Sequence, residues 1–155
     1  TSVQVEQHTN ERLAKDLGLG NALNLPKEVI VYSIEGPFFF GAAEVFERAV
    51  AFTHEDPKVL ILRLGHVPFI DITGIQTLEE VIDQFMHRGV RIILCEANQR
   101  VHAKLKRAGI IQLVGEANVF PLLVAAVAST DPQNLSEKVH SKERGQDDTK
   151  KRCTS

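Results

Sequence analysis

The sequence predicts one α/β domain built around a small, largely parallel sheet. Strand-like apolar runs alternate with segments of helical periodicity along most of the chain. Two of the runs, "KVLILRL" and "VRIILC", lack the polar alternation of a half-exposed strand, which indicates burial on both faces. With 155 residues and 43% hydrophobic content, the chain can bury a substantial core.

The first half of the domain is predicted to contain a strand and a helix. The segment "EVIVYSIEG" is β-branched and aromatic, and Gly36-Pro37 ends it. The following "GAAEVFERAVAF" places apolar residues at helical spacing on one face. "KVLILRL" then forms the next strand.

The second half is predicted to alternate helices with "VRIILC" and a shorter apolar segment. Asn98 caps a helix that Gly109 ends, "IIQLVG" suits an edge strand, and Asn118 caps a last helix, "VFPLLVAAVAS". The helix after Asp71 ends at His87, Arg88 and Gly89, and its inward face consists of Ile75, Leu78, Val81, Ile82 and Phe85.

The two ends of the chain differ from this middle. Residues 1–25 are predicted to be an N-terminal connector, with a short helix from Asn10 to Gly18 or Gly20 as the alternative. Residues 26–129 form the domain, and the polar stretch 130–155 is expected to be a disordered tail. Because the first residue is Thr1, we expect the chain to be cut from a longer protein.

Composition excludes several functional classes. The formal net charge of -2 provides no basic field for nucleic acid, and no apolar run is long enough for direct membrane insertion. Cys95 and Cys153 do not suggest a disulfide framework, and Cys95 is predicted to be a buried, inert thiol. The 6 histidines show no metal-ligand spacing, and neither a catalytic constellation nor a glycine-rich phosphate loop is present. We therefore predict no catalytic residues, no metal and no enzyme activity.

The joint "DITG", Asp71 to Gly74, is the first candidate site. It lies between a predicted parallel strand and the next helix, at the sheet edge where α/β domains bind ligands. Free amides at the helix start would stabilise a phosphate on Thr73, and Gly74 permits close approach. Asp and Thr are also ordinary helix-capping residues, so capping alone is the alternative.

The segment "PFFFG" is the second candidate. Pro37, Phe38, Phe39 and Phe40 form an apolar run whose aromatic rings cannot all face one core. The segment is either a loop folded over the core or an interaction loop that contacts a partner.

Three segments together resemble a STAS domain. "EGPFFFGAAEVFE", "DITG" and "RGVRIILCEANQRVHAKLKRAGI" are similar to the cytoplasmic C-terminal domain of bacterial SulP-type sulfate permeases, over about Glu28 to Ala128. The resemblance implies the anti-sigma factor antagonist-like fold, a small mixed sheet with helices packed mainly on one face. It implies no cofactor; some family members bind nucleotides, for which this sequence offers no independent motif.

The resemblance also implies a function. The chain would be a regulatory, protein-interaction domain at the cytoplasmic face of the inner membrane. Its partners would be the transmembrane domain of the parent permease and cytoplasmic regulatory proteins, bound near Asp71, Thr73 and Gly74. In the alternative, the chain is a free-standing anti-sigma factor antagonist. Those proteins carry Asp-Ser-Ser-Gly at this joint and are phosphorylated on the first serine; here Ile72 occupies that position, so the switch would use Thr73.

Overall fold

The computed structural model describes residues 4–18, 25–26, 28–36, 44, 48 and 57–130. Its strands are β1 (Gln4–Gln7), β2 (Val29–Glu35), β3 (Val59–His66), β4 (Arg91–Cys95) and β5 (Val119–Phe120). Its bounded helices are α1 (Asn10–Asp16), α2 (Ile72–His87), α3 (Gln99–Arg107), α4 (Ile110–Val114) and α5 (Leu123–Thr130), with a 3₁₀ turn at Glu116–Asn118.

The strands form one five-stranded sheet in the order β1-β2-β3-β4-β5. Strands β2 to β5 pair in parallel, whereas β1 pairs with β2 in the antiparallel sense. The predicted small mixed sheet is therefore confirmed. Because the central strands run in one direction, their carboxyl ends meet at one edge, where the segments after β3 and β4 leave the sheet.

Both faces of this sheet are covered in the part of the chain that the structure describes. Consecutive side chains of a strand point to opposite faces, so Leu60 belongs to one apolar layer and Ile61 to the other. The larger layer lies under α2, α3 and α4, as the predicted fold implies. The smaller layer lies under α1 and α5, through residues such as Leu13 and Ala126.

Helix α2 follows the predicted pattern. Leu78, Val81, Ile82 and Phe85 are buried, and Ile75 packs against the same layer. Arg88 is the C-cap, and the next residue, Gly89, has φ 83, the left-handed conformation that commonly follows a helix.

Two predictions in the last third of the domain are wrong. The segment "IIQLVG" is helix α4 rather than a strand, because Gly109 at φ 84 redirects the chain after α3 and the buried Ile110, Ile111 and Val114 fit one helical face. Asn118 does not cap the last helix. The residue before a proline favours an extended backbone, and Phe120 accordingly pairs with β4 as part of β5 before α5 begins at Leu123.

The N-terminal stretch contributes to the fold. The predicted helix from Asn10 is confirmed, with Thr9 as its cap and Gly18 beyond its end at φ 70. Strand β1 precedes it, so the stretch predicted to be a connector supplies an edge strand and a helix to the domain. Most of the helix predicted at 41–52, the interaction loop 37–40 and the tail from 131 onward lie outside the described residues.

Candidate functional site

The first part of the candidate site is the start of α2, directly after β3. Asp71 is the N-cap: its Oδ1 accepts a hydrogen bond from the Gly74 amide at 2.8 Å, and its carbonyl accepts one from the Ile75 amide at 2.9 Å. Thr73 is half-buried in the first turn, and Gly74 is buried. Asp71 thus supplies the capping hydrogen bond. Capping was one of the two roles expected for this joint.

The loop that leads into α2 is anchored by α3. Asn98 caps α3 through its Oδ1, which accepts from the Val101 amide at 2.7 Å. The same side chain donates to the carbonyls of Val67 at 3.3 Å and Pro68 at 3.2 Å. Lys104 Nζ donates to the carbonyl of Ile70 at 2.8 Å. Two side chains from a neighbouring helix therefore fix the backbone just before the cap.

Apolar side chains are exposed at this anchored start. Ile72 has 73% of its surface exposed and Phe69 has 38%. We call Phe69, Asp71, Ile72 and Thr73 the helix-start surface. It combines a backbone held by side-chain hydrogen bonds with exposed hydrophobic area, a combination typical of recognition sites. The structure does not place the predicted interaction loop, Pro37, Phe38, Phe39 and Phe40, relative to it, since these residues lie outside the described part.

A second cluster lies on the opposite face of the sheet, under α1. We call Arg63, His8, Asp16 and Glu96 the arginine cluster. Arg63 Nε and Nη2 bind the Glu96 carboxylate at 2.6 and 3.2 Å. Its Nη1 donates to Asp16 Oδ2 at 2.7 Å and lies 3.0 Å from His8 Nδ1. One buried side chain thus connects β3 to the segment after β4, to α1 and to the residue after β1.

The charges of this cluster stabilise one another. Burial alone would lower the pKa of Arg63, but hydrogen bonds to Glu96 and Asp16 outweigh burial and raise that pKa above its usual value. The hydrogen bond from Arg63 lowers the pKa of Asp16 below 3.8. Both carboxylates keep about a quarter of their side-chain surface exposed, whereas Arg63 keeps 10%. The cluster is therefore a partly hydrated ion network rather than a dry one.

Sequence reasoning missed the arginine cluster, although one signal was present. "KVLILRL" was interpreted as a strand buried on both faces, and a buried arginine requires partners. Those partners could not be identified from the sequence, because His8 and Asp16 are 55 and 47 residues away along the chain.

The backbone beside Arg63 is tightly constrained. Glu96 has φ 68 and is the one described residue other than glycine with a positive φ. Gly65 lies against it, since a Cβ at that position would be 3.2 Å from the Glu96 Cβ. A left-handed backbone at a residue other than glycine, such as Glu96, costs about 1 kcal/mol. The pairing of the Glu96 carboxylate with Arg63 offsets this cost.

Cys95 lies next to this cluster. Burial raises the pKa of its thiol to about 12, so the thiol stays protonated near neutral pH. The prediction that Cys95 is buried is confirmed.

Within the described residues, no group of three or more His, Cys, Asp and Glu side chains is arranged to hold a metal ion. In the same part of the chain, none of the helices combines the length and the apolar character needed to cross a membrane.

Comparison with known proteins identifies the family. The model of the STAS domain matches residues 22–126, more than half of the chain. The chain belongs to the STAS domain family. STAS domains are regulatory rather than catalytic, and the predicted fold class and resemblance are confirmed.

Similar solved structures show which type of STAS domain this chain is. The STAS domain of a SulP transporter from Vibrio cholerae is 50% identical, with a TM-score of 0.65 over 76% of this chain and 91% of that one. A sulfate transporter family protein from Wolinella succinogenes is 37% identical, with a TM-score of 0.64 over 69% and 88% of the two chains. This STAS domain is therefore of the type found in SulP sulfate transporters.

More distant matches show less. An anti-sigma factor antagonist from Mycobacterium paratuberculosis has a TM-score of 0.62 over 83% of this chain and 94% of that one, but at 15% identity it shows the fold alone. The curated relatives are sulfate transporters, of which this STAS domain spans between 12% and 18% of the length.

We expect Asp71→Ala to destabilise the domain by about 1 kcal/mol, because the first turn of α2 loses its cap. Thr73→Ala, two residues further on, should change the free energy of unfolding by less than about 0.5 kcal/mol. Urea denaturation of both variants measures the difference. A larger loss for Thr73→Ala than for Asp71→Ala would contradict the assignment of the cap.

We also expect Arg63→Met to cost about 3 kcal/mol, because it leaves the Glu96 and Asp16 carboxylates without their shared cation. Arg12→Ala is the matched control: Arg12 also binds Asp16, at 3.4 Å, but its side chain is 52% exposed. It should cost no more than about 0.5 kcal/mol. Guanidinium denaturation measures the free energy of unfolding of both variants. Equal losses would mean that the burial of Arg63 does not make its ion pairs more stabilising than that of Arg12.

Proposed function

We propose that this STAS domain is a regulatory docking module of a bacterial SulP-family anion transporter of the sulfate type. It works at the cytoplasmic face of the inner membrane, and it binds the transmembrane domain of the parent transporter and cytoplasmic regulatory proteins. The 50% identity to a SulP transporter STAS domain supports the setting. Docking, rather than transport or catalysis, is the activity that the domain contributes.

The observation that carries the proposal is the exposure of Ile72 at a helix start that is capped and hydrogen-bonded to α3. A side chain that is 73% exposed contributes little to the core, while Asn98 and Lys104 hold its loop in place. Binding to a surface that is already ordered loses little conformational entropy, and an exposed aliphatic and aromatic pair offers apolar area to bury. Asp71, Thr73 and Gly74 set the shape of this surface. The apolar sequence of Phe38 to Phe40 makes that segment the second candidate for partner contact.

A phosphorylation switch at Thr73 is the second candidate. The similarity in fold to an anti-sigma factor antagonist is the observation that favours it. A phosphate on Thr73 would gain from the amides and dipole of α2. It would also lie within two residues of the Asp71 carboxylate, which already occupies the Gly74 amide. Anti-sigma factor antagonists are phosphorylated on the residue directly after the aspartate, which here is Ile72 and has no hydroxyl, so docking without phosphorylation is the better supported function.

We expect Ile72→Asp to weaken binding to the isolated transmembrane domain of the transporter, reconstituted in nanodiscs, by at least about tenfold. The denaturation midpoint of the domain should stay the same, since Ile72 is exposed. Phe39→Ser should weaken binding in the same assay. The matched control is Leu122→Asp, which changes another exposed aliphatic side chain, 61% exposed, between β5 and α5.

Biolayer interferometry with immobilised nanodiscs measures these affinities. Unchanged binding by Ile72→Asp, or an equal loss in Leu122→Asp, would remove the helix-start surface from the proposal.

For the second candidate, we expect no phosphate on Thr73 when the domain is incubated with cytosolic extract and ATP and is then analysed by mass spectrometry. Thr73→Ala should leave any phosphorylation elsewhere in the chain unchanged. Stoichiometric phosphate at Thr73 would reverse the preference and support the switch.

A further inference from the structure

The segment of β1 and α1 is attached to the rest of the domain at the sheet edge. Strand β1 pairs with β2, and Leu13 and Ala14 of α1 pack on the smaller apolar layer with Val31 and Ile61. The arginine cluster adds the polar part of this attachment, because Arg63 binds both Asp16 of α1 and the ring of His8.

His8 lies between β1 and α1, and its surroundings suit a neutral ring. Its surface is 7% exposed, and its backbone amide donates to the carbonyl of Val31 at 2.8 Å. A guanidinium has only donors, so Nδ1 at 3.0 Å from Arg63 Nη1 must be an acceptor, and the ring proton is then on Nε2. Among the described residues, Nε2 is buried without a hydrogen-bond partner.

A second proton on this ring would be costly for three reasons. It would convert Nδ1 to a donor facing the donor of Arg63, place two cations in contact, and leave a charge at a buried site with no partner for Nε2.

The other charges around His8 do not reverse this cost. Arg63 of β3 and Arg12 of α1 oppose protonation, whereas Glu6 of β1 and Asp16 of α1 favour it. Glu96, after β4, acts through its pairing with Arg63, and the described helix α5 carries no titratable side chain. Burial is the largest influence, followed by Arg63, and the pKa of His8 lies below 6.5.

We propose that His8 makes β1–α1 a pH-sensitive latch, closed on the sheet while the ring is neutral and released as the ring gains a proton. In the released state the ring is in water and binds protons more readily than in the closed state. The closed state is therefore fully favoured above pH 6.5 and loses stability as the pH falls below that value. Asp16 adds a further loss only below about pH 3.8. Release uncovers the edge of β2 and the apolar face around Val31 and Ile61.

The experiment is residue-resolved hydrogen exchange on the whole chain between about pH 7.5 and pH 5.5, corrected for the intrinsic exchange rates. The amides of His8, Leu13 and Leu17 report on the latch, since each donates a hydrogen bond within β1–α1 or to β2. Their opening constant should increase by up to about tenfold per pH unit below pH 6.5. The amides of β3 and β4 should keep their protection.

Two variants separate the latch from general acid sensitivity. His8→Asn keeps an acceptor near the position of Nδ1 but cannot titrate, so opening of β1–α1 should no longer depend on pH. His87→Asn removes an exposed histidine of α2 and should behave as the unmodified chain does.

Three results would overturn the proposal. One is a pH-independent opening of β1–α1 in the unmodified chain. Another is an equal loss of protection in β3 and β4, which would mean global unfolding. The third is a midpoint of 6.5 or higher for the His8 ring in an NMR titration of the unmodified chain, which decides the matter even if His8→Asn does not fold.

Discussion

Burial of β3 and β4 on both faces is the constraint from which the rest of this structure follows. Parallel strands in the middle of a sheet carry apolar side chains in both directions, so each face requires its own helices. Helices α2, α3 and α4 cover one face, and α1 and α5 cover the other. The N-terminal segment therefore supplies part of the cover of this face, since Leu13 and Ala14 of α1 lie in one apolar layer with Val31 and Ile61. The same constraint places Arg63 under α1, where its charge needs carboxylate partners.

The helix-start surface and the arginine cluster have different roles. At the start of α2, Asp71 satisfies backbone amides, and what remains outward is apolar. In the arginine cluster, the charges satisfy one another across elements that are distant in sequence. The first arrangement leaves a surface to offer to a partner, whereas the second holds the domain together. In the two proposals made for this domain, the helix-start surface keeps its shape while β1–α1 responds to pH.

Much of the fold could be predicted, because its central elements carry strong local signals. Helix α2 has an apolar stripe and a terminal signal at each end, and β3 and β4 are continuous apolar runs. The errors concern short elements. The five residues of α4 and the two residues of β5 have weak local preferences, and packing against α3 and β4 decides their conformation.

The candidate site divides in the same way. The cap at Asp71 could be predicted from neighbouring residues. The contact of Arg63 with His8 depends on the pairing of β1 with β2, and the short polar sequence "QVEQ" carries no signal that predicts a strand.

The close approach of Gly65 and Glu96 has a consequence for how this domain can evolve. A side chain at position 65 would place its Cβ 3.2 Å from the Glu96 Cβ, so the Glu96 side chain would have to shift. Replacing Glu96 by glycine would relax the backbone at φ 68 but remove the anion that pairs with Arg63. A substitution at either position therefore disturbs the carboxylate on which Arg63 depends. We therefore expect positions 63, 65 and 96 to change in a coordinated way among descendants of this sequence.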